Sequence, residues 1–129
     1  MTTNLEMRAA VYERLRTQVR SDVTVYKTPP DTITPPAIIL GGLNYSETSM
    51  SAGRTVTMPL YVAVSRKNTA LIEALDELVD PDGPIFAVFE EEPPDPLESW
   101  VIKSVGDYRD IVIADTNHYA ATVNVEVFC

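Results

Sequence analysis

Two reactive side chains occur only once in the chain, the imidazole of His118 and the thiol of Cys129. Together they are the one pair that could act as base and nucleophile, because no serine lies in a G-x-S-x-G turn. Cys129 is the final residue of the sequence, and a chain end rarely holds a nucleophile in line with a base. We therefore predict that neither His118 nor Cys129 is needed for chemistry.

Three aspartates precede His118 and suggest a second chemistry, the binding of a divalent cation. Asp107, Asp110 and Asp115 supply carboxylate oxygens, and His118 supplies a ring nitrogen. The same residues are typical of turns between strands, because Asp hydrogen-bonds to its own backbone. A metal-dependent hydrolase that uses Asp107, Asp110 and His118 therefore stays open as an alternative.

The other carboxylates cluster in residues 90–98, which contain five acidic residues and three prolines. A loop of this kind is too open to shift a carboxyl pKa as acid–base catalysis requires. The pair Gly41-Gly42 does not begin a phosphate-binding loop, since no lysine follows at the required spacing. The residue types thus predict a protein that is not an enzyme, with no catalytic residue, no metal and no cofactor.

The charge is unevenly divided along the chain. The formal net charge of the 129 residues is −9. Residues 1–67 hold eight basic and five acidic residues, a net of +3, whereas residues 68–129 hold two basic and fourteen acidic residues, a net of −12. This balance argues against a general nucleic-acid-binding surface. It predicts either a solvated acidic surface or head-to-tail contacts between copies, and both stay open.

The chain is long enough for one domain with its own core, so we expect a single domain over residues 1–129. No run of 18 apolar residues is present, and the first 20 residues lack the apolar segment of a signal peptide. A single cysteine excludes a disulfide within the chain. These features predict a protein made inside the cell, without a membrane partner.

The elements at the start of the chain are a helix and two short strands. Thr3 and Glu6 form a capping-box pattern at the start of the helix. An apolar stripe at helical spacing follows: Leu5, Ala9, Tyr12, Leu15 and Val19. Residues 23–26 and 37–40 are then typical of short strands, separated by a proline-rich loop.

A hairpin is predicted next, with arms 43–48 and 55–65 and a tip of small residues at 49–53. Val56, Met58, Leu60, Val62 and Val64 alternate with smaller or more polar residues, so we expect them on one face. Pro59 lies in mid-strand and cannot donate to a ladder, which predicts an edge strand or a bulge. An edge would let another chain add to the sheet there.

A second amphipathic helix is predicted at residues 71–79, with Leu71, Ile72, Leu75, Leu78 and Val79 inward. Residues 85–89 fit a helical turn or a strand. Residues 100–105, 111–113 and 119–128 are typical of three further strands. The predicted fold class is α+β, an antiparallel-dominated mixed sheet with two helices packed on one face.

The order of these elements, with the segment PAIIL at 36–40 and RTVTMPLYVAVSR at 54–66 leading into an acidic helix, resembles a known family. It is similar to the tail terminator (tail completion) proteins of long, non-contractile-tailed phages, especially phages of actinobacteria. The resemblance covers residues 5–128 and includes no catalytic motif. The acidic proline loop at 90–98 is not part of it.

The resemblance implies a virion protein at the neck, assembled in the host cytoplasm as a ring, expected to be a homohexamer. Such a ring ends the tail tube and meets the head-side connector or stopper, and double-stranded DNA passes through without being read. A head–tail stopper or adaptor, or a small ligand-binding α+β module, is the alternative. The charge division suggests subunit contacts through these residues: Arg8, Arg14, Arg16, Arg54, Arg66, Asp76, Glu77, Asp80, Glu90, Glu91 and Glu92. Two further candidates are Pro59, on the predicted edge strand, and Glu47, beside the hairpin tip.

Overall fold

The computed structural model describes residues 3–44, 55–65, 70–95, 97–113 and 115–128. Within them the fold is α+β, with helices against a five-stranded mixed sheet in the order β1-β2-β3-β5-β4. Only β1 and β2 are parallel, and the other pairs are antiparallel. The predicted fold class is confirmed. The elements are α1 (Asn4–Gln18), β1 (Thr24–Tyr26), β2 (Ala37–Leu40), β3 (Thr55–Ser65), α2 (Leu71–Val79), α3 (Pro84–Phe89), β4 (Ser99–Ile113) and β5 (Thr116–Phe128).

Helix α1 begins with the predicted capping box. The Glu6 N–H donates to Thr3 Oγ1 at 3.1 Å, and the Thr3 N–H donates to Glu6 Oε1 at 3.2 Å. The predicted stripe is partly wrong, because the buried residues of α1 are Met7, Val11 and Leu15, and Leu5 is 79% exposed. Both stripes have helical spacing and share Leu15, and contact with β1 and α3 decides which one is buried.

The helices cover the face of the sheet to which β3 contributes its larger apolar residues. Val56, Met58, Leu60, Val62 and Val64 are buried there, as the alternating pattern predicted. Facing residues of β5 complete the layer: Ala121, Val123, Val125 and Val127. The two long central strands therefore share one core with the helices.

Helices α2 and α3 complete this core, α2 against β3 and β5 and α3 against β4. In α2, Leu75, Leu78 and Val79 are buried as predicted, whereas Ile72 is 52% exposed and the side chain of Leu71 lies outside the description. Residues 85–89, which the sequence left undecided, form most of α3. Pro84 lies in the first turn of α3, where its missing N–H costs no hydrogen bond.

Pro59 lies in the middle of the sheet, so the predicted edge or bulge is wrong. Strand β3 pairs with β2 on one side and in unbroken register with β5 on the other. The β2 ladder ends at Leu40, opposite Leu60, and Pro59 lies one residue beyond it. The Pro59 carbonyl accepts from the Gly41 N–H at 2.8 Å, so the missing proline N–H would face the same side. Proline is tolerated because the neighbouring strand ends there and only one hydrogen bond is lost.

The long edge strand of the sheet is instead β4, which among the described strands pairs with β5 alone, and the short β1 forms the opposite edge. The two strands predicted at 100–105 and 111–113 are one strand with irregular register at Ile102/Ser104 and at Gly106/Arg109. The prediction of a turn at Asp107 is thus wrong. The chain forms a bulge there, and Asp107 has φ 55°. Asp115 has φ 62° and lies between β4 and β5, as expected of turn chemistry.

Candidate interaction surfaces

The residues proposed for metal binding do not come together. Asp110 pairs with Tyr119 and Ile111 pairs with His118, so the pleat directs Asp110 and His118 to opposite faces. Asp107 forms an ion pair with Arg109 at 3.4 Å. In residues 3–44, 55–65, 70–95, 97–113 and 115–128, no three His, Cys, Asp or Glu side chains form a group that could hold a metal ion.

His118 is buried in the sheet, with 5% of its surface exposed. Its Cα partners are Ser65 on β3 and Ile111 on β4. Its Nδ1 atom has no hydrogen-bond partner in the structure as described. Cys129 lies outside the described residues, so the statement that Cys129 and His118 are not needed for chemistry stays a prediction.

Arg14, one of the predicted contacts between subunits, is engaged within its own chain. Its Nη1 donates to the Glu92 carbonyl oxygen at 2.7 Å and lies 3.9 Å from Glu91 Oε2. The guanidinium carbon is 5.5 Å from the centre of the Trp100 ring, a cation–π contact. Arg14 therefore joins α1 to the acidic loop and to the edge strand of the same subunit.

We call residues 90–95 the acidic strap. Two neighbouring carbonyl groups of its backbone accept hydrogen bonds from side chains outside the strap. The Trp100 Nε1–H donates to the Glu91 carbonyl at 2.9 Å, next to the bond from Arg14 to Glu92. Trp100 also packs edge-to-face on Phe89, with ring centres 4.7 Å apart. The side chains of Glu90, Glu91 and Glu92 remain exposed. The strap thus presents carboxylates outward while its main chain is fixed.

A second link between the basic and acidic halves is also internal. Arg20 Nη1 donates to Glu77 Oε1 at 2.7 Å, and Nε and Nη2 donate to the two oxygens of Asp22 at 2.8 and 3.0 Å. The hydrogen bonds to Asp22 raise the pKa of Arg20, and those from Arg20 lower the pKa of Asp22. Glu77 is therefore held by its own chain through a residue that the sequence did not single out.

The remaining described candidates also have partners within the subunit. Arg16 donates to Glu13 Oε2 at 2.8 Å, one turn away, and this bond lowers the pKa of Glu13. Arg8 donates to the carbonyls of Lys27 and Leu40 at 3.1 and 3.3 Å. The Asp80 carboxylate accepts from the Asp82 N–H. Pro59 is inside the sheet, and Glu47, Arg54 and Arg66, with the tip at 49–53, lie outside the described residues.

Asp76 accepts a hydrogen bond from the Tyr108 hydroxyl at 2.6 Å, which joins α2 to β4. Burial, together with this bond, raises the pKa of Tyr108 to about 12. Tyr108 follows the bulge at Asp107 and meets Tyr119 edge-to-face at 6.4 Å. No sequence signal pointed to Tyr108, Trp100 or Arg20, because each is paired with a residue distant in sequence.

The outer edge of β4 is poorly suited to the addition of another strand. Two irregularities interrupt its register, and Lys103 and Arg109 are exposed on it. Bulges and charged side chains are the usual means by which edge strands avoid pairing with other chains. We therefore do not transfer to β4 the strand addition that the sequence predicted at Pro59.

The surface depressions are open grooves lined partly by charged residues. One lies between α1 and the acidic strap, over Ala9, Ala10 and Pro94. Another lies around Arg20, between the proline loop and α2. Neither resembles the enclosed apolar pocket that a small-ligand module requires.

Comparison with known proteins leaves the function to be argued from these surfaces. No helix in the described ranges is long and apolar enough to cross a membrane. No protein-family model matches the sequence, and no curated protein is significantly similar to it.

Proposed function

We propose that this protein is a phage tail terminator, a structural virion protein that forms a ring at the top of the tail. The ring ends growth of the tail tube and connects the tube to the head-side connector. Double-stranded DNA passes through its lumen without sequence-specific contacts. The protein performs no catalysis in this role and needs neither metal nor cofactor.

The observation that carries the proposal is the order of elements in one α+β domain. Helix α1, a proline-bounded loop, strand β2, long strand β3 and acidic helix α2 follow one another as in the family that the sequence resembles. The helices share one core with a single sheet. This supports the role of a compact building block whose function lies in its surfaces.

The charge of the molecule fits a passive conduit for DNA. Fourteen of the 19 acidic residues lie in the second half of the chain, and the acidic strap presents four of them outward. Like charge keeps a phosphate backbone from binding to a wall that it only has to pass. An acidic lumen or rim supports passage, whereas a basic one would retain the DNA.

The proposal is tested by adding the purified protein to tail tubes of its own phage and imaging the tube ends by electron microscopy. We expect rings at one end of each tube and tubes that no longer lengthen when tube subunits are added. Labelled antibody should mark the neck of intact virions. Tubes that keep growing and unlabelled necks would contradict the proposal.

The stopper or adaptor alternative is distinguished by the same preparation. A stopper binds to DNA-filled heads before any tail is attached, whereas a terminator copurifies with free tails. Binding to heads alone would favour the stopper or adaptor function over the terminator function.

A further inference from the structure

Large apolar side chains are exposed at four positions of the described chain. The exposed fractions are 79% for Leu5, 52% for Ile72, 50% for Val101 and 65% for Val112. Covering such residues is favourable because it removes apolar surface from water. Three of them, Leu5, Ile72 and Val112, lie beside charged residues in two distinct groups.

The first group, which we call the basic patch, consists of Leu5, Tyr12, Arg16 and Lys27. Leu5, Tyr12 and Arg16 share one stripe of α1, and Leu5 and Tyr12 were predicted to be buried. Lys27 Nζ lies 5.6 Å from the centre of the Tyr12 ring. The patch thus combines an exposed leucine and an aromatic ring with two cations, although Arg16 also pairs with Glu13.

The second group, the acidic patch, consists of Ile72, Glu73, Asp76, Tyr108 and Val112. The bond from Tyr108 to Asp76 joins α2 to β4 at its centre. Ile72 precedes Asp76 by one helical turn, and Val112 follows Tyr108 on the same face of β4. Glu73 is exposed beside Ile72. This patch is apolar in the same way as the first but carries the opposite charge.

The two patches lie far apart on one subunit. Arg8, near the basic patch, donates to the carbonyls of Lys27 and Leu40. Leu40 is aligned across the sheet with Leu60 on β3, Val123 on β5 and Val105 on β4. Val112 lies about 20 Å beyond Val105 along β4. Strand β4 is three strand spacings, about 14 Å, from β2. The contacts that hold the start of the basic side therefore lie roughly 20 Å or more from Val112, although the C-terminal end of α1 approaches α2 through Arg20 and Glu77.

We propose that the basic patch of one copy binds the acidic patch of the next copy. Leu5 and Tyr12 would be covered by Ile72 and Val112, while Lys27 would face Glu73. Because the two surfaces differ, the contact is heterologous and continues from copy to copy, as a closed ring requires. This inference rests on the proposed ring and names the surfaces that would hold it together.

The test uses two variants, each of which removes one patch. Leu5→Asn removes the exposed leucine of the basic patch and Ile72→Asn removes the exposed isoleucine of the acidic patch, and neither adds a charge. Analytical ultracentrifugation should show that each variant needs a concentration at least roughly tenfold higher than the wild type to assemble. Mixed in equal amounts, they should form a one-to-one dimer and stop there, because one intact patch of each kind remains.

The matched control is the pair Val101→Asn and Val112→Asn. Both are exposed valines of β4, but Val101 lies opposite Glu126 on the face away from the helices. We expect Val101→Asn to assemble as the wild type does and Val112→Asn to assemble less well. Circular dichroism checks the fold of each variant, and Leu5→Ser and Ile72→Ser replace any that is unfolded.

The outcomes separate this inference from the proposed function. Rings that form equally well in all variants, or a mixture that stays monomeric, would overturn the paired patches and leave the terminator role intact. Variants that assemble normally but no longer bind tail tubes would assign the patches to another partner and also overturn the inference. A wild-type protein that neither self-associates nor binds tubes would remove both.

Discussion

Strands β3 and β4 are both long, yet they are held in the sheet by different means. Strand β3 has a neighbour on each side, and five of its side chains lie in the main core. Strand β4 has one neighbour and is tied to the helices by Trp100 and Tyr108. A central strand is secured by two ladders and by apolar packing, whereas this edge strand has one ladder, to which Trp100 and Tyr108 add polar and aromatic contacts.

The largest expected effect is at the centre of β3. Leu60 is fully buried, so Leu60→Ala leaves a cavity and should lower the free energy of unfolding by about 2–5 kcal/mol. Val112→Ala, at an exposed position of β4, should change it by no more than about 0.5 kcal/mol. Chemical denaturation measures both. Equal losses would mean that the edge strand is packed as tightly as the central one.

A second test concerns the point where β2 ends beside Pro59. An added Cβ on Gly41 would lie 2.7 Å from Tyr61 Cε2 and 2.8 Å from Pro59 Cγ. Gly41→Ala should therefore cost about 1–3 kcal/mol through displaced rings. Gly42→Ala is the control, because nothing lies within 4 Å of its Cβ. If both variants melt at the same temperature, the close packing at Pro59 is not important for stability.

The aromatic link at the start of β4 should have a smaller effect. Trp100→Phe keeps an aromatic ring but removes the Nε1–H donor to Glu91 and weakens the contact with Arg14. We expect a loss of about 1–2 kcal/mol and faster amide exchange in the acidic strap than elsewhere. Exchange that increases equally in β3 would show that Trp100 supports the whole core and not the strap.

The smallest expected effect is at the link between β4 and α2. Tyr108→Phe removes the bond to Asp76 and should cost about 0.5–1.5 kcal/mol at neutral pH. The pKa of Tyr108 is raised from 10.0 to about 12, so folding favours the protonated phenol. The contribution of this pKa shift to the free energy of unfolding is complete below pH 10.0 and is lost as the pH rises towards about 12.

Unfolding measured from neutral to alkaline pH checks the sign. The wild type should lose more stability than Tyr108→Phe over that alkaline range, because only the wild type must keep the Tyr108 phenol protonated. Parallel curves for the two proteins would mean that the contact with Asp76 contributes nothing to folding.

The correct predictions concern contacts that are close in sequence. The capping box of Thr3 and Glu6 spans one turn, and the alternation from Val56 to Val64 needs only the period of a strand. The predicted burial at α1 is right for Leu15 and Val19 and wrong for Leu5, because two stripes of the helix have helical spacing. Contact with β1 and α3 selects Met7 and Val11 over Leu5 and Ala9.

The charge division was visible in the sequence, but its use within the subunit was not. Arg14 meets Glu92 across 78 positions and Arg20 meets Glu77 across 57. No local pattern indicates which opposite charges will pair over such separations. The contacts proposed between copies therefore rest on charges beside exposed apolar residues, and of the original candidates they include Arg16 and Asp76.

By itself, the sequence determined the α+β class, the capped first helix and the inward face of β3, because local hydrogen bonding and the periodicity of apolar residues dictate them. Tertiary structure alone decided that Pro59 is central, that β4 is the edge, and that Trp100 and Tyr108 tie β4 to the helices. The physical reason is that strand order and side-chain pairing depend on how distant segments pack together. The same alternating strand can be central or peripheral, and only its neighbours distinguish the two.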